Sequence, residues 1–251
     1  MEIKKPDLLP VRTIIYGSDK VGKSSFAASA PNPLFLDLEG GLGELAVDCV
    51  DLRSQDFSAV MLVMAEIYKD SRGYKTLVID SLDWLESKIF ASVCLANKVK
   101  NIEEIGYAKG YIFALNFWHQ FIQGLDAIRS QCGMEIICIA HAQIVHVDDP
   151  AQVPYDKWGL KLHKKAHALF CEWADAILFA SYETYTRQVG ESFNQKINRA
   201  YSAGNRVIFC EERPSFDAGN RFGLPEKLEL SYSAYAAAIA QSRANKTQKG
   251  E

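Results

Sequence analysis

The chain has 251 residues, with 28 Lys and Arg against 31 Asp and Glu, for a formal net charge of -3. Such near neutrality excludes a molecule-wide basic surface, so any nucleic-acid site must be a local patch. A hydrophobic share of 48% is ordinary for a soluble globular protein, no apolar run is long enough to cross a bilayer, and Met1–Pro6 lacks the apolar stretch of a signal peptide. The six cysteines (Cys49, Cys94, Cys132, Cys138, Cys171 and Cys210) form no C-x-x-C pair. They read as reduced residues of a cytoplasmic protein and not as a disulfide or zinc framework.

Residues 1–10 form a lead-in ending at Pro10. Arg12–Tyr16 reads as a short strand. Gly17-Ser18-Asp19-Lys20-Val21-Gly22-Lys23-Ser24 follows with the pattern G-x-x-x-x-G-K-[ST], and a helix is expected over Ser25–Ala30. Strand, glycine loop and helix in that order are what a phosphate-binding P-loop requires. Gly17 and Gly22 let the backbone wrap an anion, and successive N–H groups through Ser25 face it. Lys23 is placed to reach the β- and γ-phosphates, and the Ser24 hydroxyl to ligate Mg²⁺. The pattern argues for nucleotide binding and leaves open what the nucleotide is used for.

Pro31-Asn32-Pro33 breaks the chain before Leu34–Leu38, a strand buried on both faces, which Glu39-Gly40-Gly41 follows. At that strand edge Glu39 can polarise a water attacking the γ-phosphate; position alone fits a solvated turn residue equally well. Phe57–Asp70 carries apolar residues at helical spacing. Lys75–Asp80 is an apolar strand ending in an acid, the Walker B pattern, so Asp80 would hold Mg²⁺ through a water or through Ser24. A helix capped by Ser81 is expected over 81–97, with Asp83 and Glu86 early in it and Trp84 as an anchor on the sheet. After a polar linker, Tyr107–Gln131 forms a long aromatic-rich helix. Glu135–Ala140 is another buried strand, and His141 leaves it where a γ-phosphate sensor stands, or where a hydrogen-bonded structural histidine stands.

Residues 144–165 lack regular periodicity and read as a long loop. Lys157, Trp158, Lys161, Lys164 and Lys165 interleave cations with a ring, a composition that suits single-stranded DNA and equally a solvated charged loop. His163 and His167 share a helix face, but Lys164 stands where a zinc metalloprotease motif needs Glu, so zinc is rejected. Strands are expected at Ala174–Ser181 and Arg206–Cys210, a polar hairpin or flexible excursion at 183–200, and an Ala-rich helix at Tyr232–Gln241. Without repeats or a second core, residues 1–241 read as one domain and 242–251 as a disordered tail.

In that order the P-loop, Leu36-Asp37-Leu38-Glu39-Gly40-Gly41, the strand ending at Asp80 and the edge His141 resemble the RecA superfamily. More closely, the chain resembles the short phage RecA-like ATPases of the Sak-type single-strand annealing and recombination group. Ala218-Gly219-Asn220-Arg221-Phe222-Gly223-Leu224-Pro225 is similar to that group's Ala-Lys-Asn-Arg-x-Gly-Leu-Pro segment, with Gly219 in place of the lysine. The resemblance implies an α/β fold with a RecA-like P-loop NTPase core, a mostly parallel sheet with helices on both faces. It implies ATP and Mg²⁺ as cofactors, Lys23 and Ser24 on phosphate and metal, Asp80 as the Walker B acid, Glu39 as the catalytic glutamate and His141 as a switch. It makes Ile144–Lys165 a DNA-binding loop. The implied partners are single-stranded DNA, a single-strand-binding protein and further copies of the chain, with no membrane, in the cytoplasm of a bacterial host. On this reading the chain is an ATPase, stimulated by single-stranded DNA, that promotes annealing or recombination. Two alternatives stand beside it: a P-loop nucleotide or small-molecule kinase, and a non-hydrolysing mediator or loader switched by ATP.

Overall fold

The computed structural model describes residues 8–150, 153–192 and 195–248. Its sheet contains β1 Arg12–Gly17, β2 Pro33–Asp37, β3 Asp48–Asp51, β4 Thr76–Asp80, β5 Glu135–Val147, β6 Tyr155–Leu160, β7 Ala176–Ser192, β8 Gln195–Phe209, β9 Gly219–Asn220 and β10 Lys227–Glu229. The helices are α1 Lys23–Ala28, α2 Phe57–Lys69, α3 Leu82–Asn97, α4 Lys109–Cys132, α5 Lys164–Trp173 and α6 Tyr232–Gln248. The strand order is β10-β8-β7-β1-β5-β4-β2-β3. Neighbours from β7 to β3 are parallel, while β6, β8, β9 and β10 add antiparallel pairs at the margins. This is an α/β P-loop NTPase fold with a mostly parallel sheet.

Alternating side chains divide the interior in two, because successive residues of a strand point to opposite faces. Ile14 and Tyr16 of β1, Leu77 and Ile79 of β4, and Ile136 and Cys138 of β5 face one core, which α2, α3, α4 and α5 cover. Ile15, Val78, Ile137 and Ile139 face the other, which α1 and α6 cover through Phe26, Tyr232 and Tyr235. Burial on both faces explains why these strands are continuously apolar. Thr13 of β1 and Tyr235 of α6 share a hydrogen bond of 2.8 Å inside the second core.

Register puts the chemistry at one edge. Gly17 lies opposite His141, and Asp80 lies opposite both Asp37 and Ile139. The Leu38 N–H donates to the Asp80 carbonyl at 2.8 Å, which sets Glu39 beside the end of β4.

Two expectations are corrected and one alternative is decided. The long loop over 144–165 is instead a β-hairpin followed by the start of α5, with Ile144 opposite Trp158 and Val145 opposite Lys157. Its pattern is inverted: Ile144 and Trp158 are exposed, whereas Lys157 turns inward, so hydrophobicity does not alternate as for a half-buried strand. Of the hairpin or flexible excursion expected at 183–200, the structure shows the hairpin, formed by β7 and β8. The last helix continues past Gln241 to Gln248, where a disordered tail was expected; residues 249–251, like the lead-in residues 1–7, lie outside the described residues.

Candidate active site

A cavity of about 660 Å³ opens where β1, β2, β4 and β5 end. The loop between β1 and α1 forms one wall. Gly22 has φ +112°, and a Cβ there would stand 2.8 Å from an Arg206 guanidinium nitrogen; at Gly17 it would stand 2.1 Å from the Ala180 carbonyl oxygen. Gly17 excludes a side chain on space, against fixed backbone, and Gly22 excludes one on conformation, since the Arg206 tip can move aside. Lys23 is buried and donates to the carbonyls of Gly17 and Ser18 at 3.0 and 2.9 Å. Burial lowers its pKa, against the pull of Asp19 and Asp80. Among the described residues Lys23 has no carboxylate within ion-pair distance, so an anion entering the cavity meets a buried ammonium group with loop amides beside it.

At the end of β4 the Ser24 hydroxyl donates to Asp80 at 2.8 Å. Burial pushes the Asp80 carboxyl up to about 6, opposed by the Ser24 bond. A hydroxyl and a carboxylate side by side are hard oxygen donors. They fit Mg²⁺, which takes one or two protein oxygens and completes its shell with waters and substrate phosphates.

Glu39 accepts from the Ser81 hydroxyl at 3.2 Å, and its other oxygen lies 3.6 Å from His141 Nε2. Ser81, expected to cap α3, makes no side-chain cap and is used on Glu39 instead. Asp83, on the first turn of α3, accepts from the His141 main-chain N–H at 3.1 Å and lies 2.9 Å from Nδ1. That bond raises the His141 pKa against the cost of burial. Asp83 itself is held low by its bonds from His141, although burial works the other way. Sequence reading noted Asp83 only as an early residue of the helix and gave it no role at the site; its one further signal is its place three residues after Asp80. It also missed Arg206, exposed at the cavity mouth and 3.4 Å from the Val21 carbonyl, because only the sheet brings β8 there. Trp84 lines the cavity and is 46% exposed, so it is not an anchor on the sheet.

The five residues expected to touch DNA are divided. Trp158 is exposed next to Ile144, and Lys161, Lys164 and Lys165 are exposed near it in the chain. Lys161 also lines the cavity, with Nζ 3.8 Å from Asp83. Lys157 stands apart: it is ion-paired to Asp217 at 2.5 Å and mostly covered. His163 and His167 also part ways. One stacks on Tyr111 with ring centroids 4.0 Å apart, and the other pairs with Asp217 at 3.1 Å.

A family model described as an AAA domain matches residues 9–222. The chain belongs to the AAA domain family. As an AAA-type P-loop ATPase domain, its loop, Lys23 and Ser24 are where nucleotide binding is implied. No curated protein matches the chain. Among solved structures the AAA domain is similar to the RadB recombinase, with 15% identity and a TM-score of 0.44 over 90% of each chain.

Proposed function

We propose that this AAA domain hydrolyses ATP with Mg²⁺, binds single-stranded DNA and promotes annealing or homologous recombination. The observation that carries the reading is the β5–β6 hairpin. One end, at His141, stands in the cavity, and its outer face exposes Trp158 and Ile144 ahead of Lys161, Lys164 and Lys165. Exposed rings with nearby cations suit bases and phosphates of a single strand. In the cavity Lys23 and the loop amides hold the phosphates, and Glu39 orients the attacking water. Ser24 and Asp80 would hold Mg²⁺, which would supply charge neutralisation at the phosphates.

The reading extends to a single domain over residues 1–241, to self-association, to a single-strand-binding protein as partner, and to the Sak-type phage group acting in a bacterial cytoplasm; the motif order and the Ala218–Pro225 segment support it. The test is ATP turnover with and without single-stranded DNA across a salt series, in wild type and in a variant with Trp158, Lys164 and Lys165 replaced by Ala. Lys161 is spared because it lines the cavity. The variant is expected to bind nucleotide normally and to lose DNA stimulation. The log–log salt slope of its DNA affinity should flatten by about 0.7 for each phosphate-contacting lysine removed. Unchanged affinity and slope would move the DNA site off the hairpin, and a wild type that binds no single strand would favour the kinase alternative.

A further inference from the structure

His141 has carboxylates on both of its ring nitrogens. Nδ1 lies 2.9 Å from Asp83 Oδ2, while Nε2 lies 3.6 Å from Glu39 Oε1 and 3.4 Å from the largely exposed Asp19. A neutral imidazole donates from one nitrogen and presents a lone pair on the other. In either tautomer a lone pair would face a carboxylate; only the doubly protonated ring presents an N–H on both sides, hydrogen-bonded at Nδ1 and at ion-pair distance at Nε2. Asp83 adds a second restraint, because it also accepts the His141 main-chain N–H at 3.1 Å. Its side chain is 7% exposed, so water screens this pair little. Lys23 from α1 and Lys161 from beyond β6 also face the site, Lys20 and Arg206 line the same cavity, and Lys23 opposes protonation of the ring.

We propose that Asp83 is a positioning residue that holds His141 as an imidazolium, its Nε2–H turned into the cavity beside Glu39. The inference rests on the reading of the cavity as an ATPase site and adds to it the charge state of the edge histidine and the source of that charge. Held this way, His141 meets a γ-phosphate oxygen as a cation. The Lys161 main-chain N–H donates to the His141 carbonyl at 2.9 Å, so the end of β6 is fastened to the same residue. Movement of the hairpin is therefore movement of a charge at the phosphate site.

The test reads the ring directly. Nitrogen-15 histidine NMR follows the His141 titration in the nucleotide-free protein, with the signal assigned by its loss in His141→Gln. Wild type should titrate above the ordinary midpoint of about 6.5. Asp83→Asn should lower the midpoint by about one unit or more, the size expected when an opposite charge at this distance is removed. Asp83→Glu, which keeps the charge, should stay nearer to wild type. The alkaline limb of the pH profile for ATP turnover should move down with the NMR midpoint in Asp83→Asn. An unmoved midpoint in Asp83→Asn overturns the proposal. So does a wild-type midpoint at or below about 6.5, which decides the matter even if Asp83→Asn does not fold. If the midpoints behave as stated and wild type hydrolyses no ATP, the ATPase reading fails and the placement of His141 stands.

Discussion

Glu39 and Lys23 occupy the same cavity and are held in different ways. Glu39 accepts from a neutral hydroxyl, Ser81 at 3.2 Å. The amide oxygen of Glu39→Gln can accept the same bond, so the loop after β2 should keep its shape. What the amide lacks is the negative charge that polarises water. Glu39→Gln is therefore expected to bind ATP with near wild-type affinity while turnover falls by about a hundredfold or more. Lys23→Ala removes a buried ammonium group and its bonds to Gly17 and Ser18, so affinity and turnover should fall together. Nucleotide titration and turnover on both variants check the contrast. Wild-type turnover in Lys23→Ala would remove the P-loop from the mechanism, and normal turnover with weakened binding in Glu39→Gln would make Glu39 structural.

At the scale of elements, α3 works as a bracket for the β5–β6 hairpin. Asp83 and Glu86 stand three apart on the helix and so share a face. Asp83 takes the main-chain N–H of His141, and Glu86 takes that of His163 with both oxygens at 3.0 Å. Burial pushes the Glu86 carboxyl up to about 7, opposed by the His163 bond. On the other side Lys157 and His167 converge on Asp217, and Gly159 lies against that cluster. A Cβ on Gly159 would stand 2.7 Å from His167 Cε1 and 3.0 Å from Asp217 Oδ2. Gly159→Ala is expected to destabilise the fold by about 1–3 kcal/mol, the usual cost of overpacking. Gly219→Ala meets nothing within 4 Å and should be neutral, within about 0.5 kcal/mol. Urea unfolding of the pair checks both, and equal midpoints would mean that the hairpin gives way without strain.

Across the whole molecule, Asp175 joins distant parts of the chain. It accepts from Arg12 at the start of β1 at 2.8 Å, from Arg129 on α4 at 3.2 Å and from Arg221 after β9 at 3.3 Å. Arg221 also donates to the Glu172 carbonyl at 2.9 Å, so its guanidinium is engaged within its own chain. Arg12 and Arg129 are largely covered, and a neutral residue at 175 leaves the half-exposed Asp126, 3.4 Å from Arg12, as the remaining carboxylate between them. Asp175→Asn is expected to cost about 3–5 kcal/mol in urea unfolding at neutral pH, the range for breaking a buried pair from one side. The acid limb follows from the same contacts. Burial raises the Asp175 pKa, but the bonds and charge of Arg12 outweigh it, so the folded pKa lies below the unfolded value. The stabilisation is full above an unfolded pKa of about 3.9 and is lost as pH falls through the folded one. Below that the wild-type excess over Asp175→Asn should shrink, and a difference constant with pH would assign the cost to packing.

What the sequence determined by itself is the part whose chemistry is local. A phosphate loop must have glycine where φ is positive, as at Gly22, and Lys and Ser one after the other at the helix start, so residues 17–24 were legible as letters. Strands buried on both faces must be continuously apolar, and β1, β2, β4 and β5 read as such for that reason. Tertiary structure alone decided the rest. Arg206 reaches the cavity because β8 pairs beyond β7, a neighbour relation that no short window contains. Asp83 gained its role when β5 was laid next to β4 and carried His141 to it. Lys157 takes the face of the hairpin opposite Trp158 and pairs with Asp217, sixty residues on, where a buried carboxylate is stabilised by a paired cation. Charge and ring counts along a segment cannot show which side of a strand each residue takes; the register of β5 against β6 does.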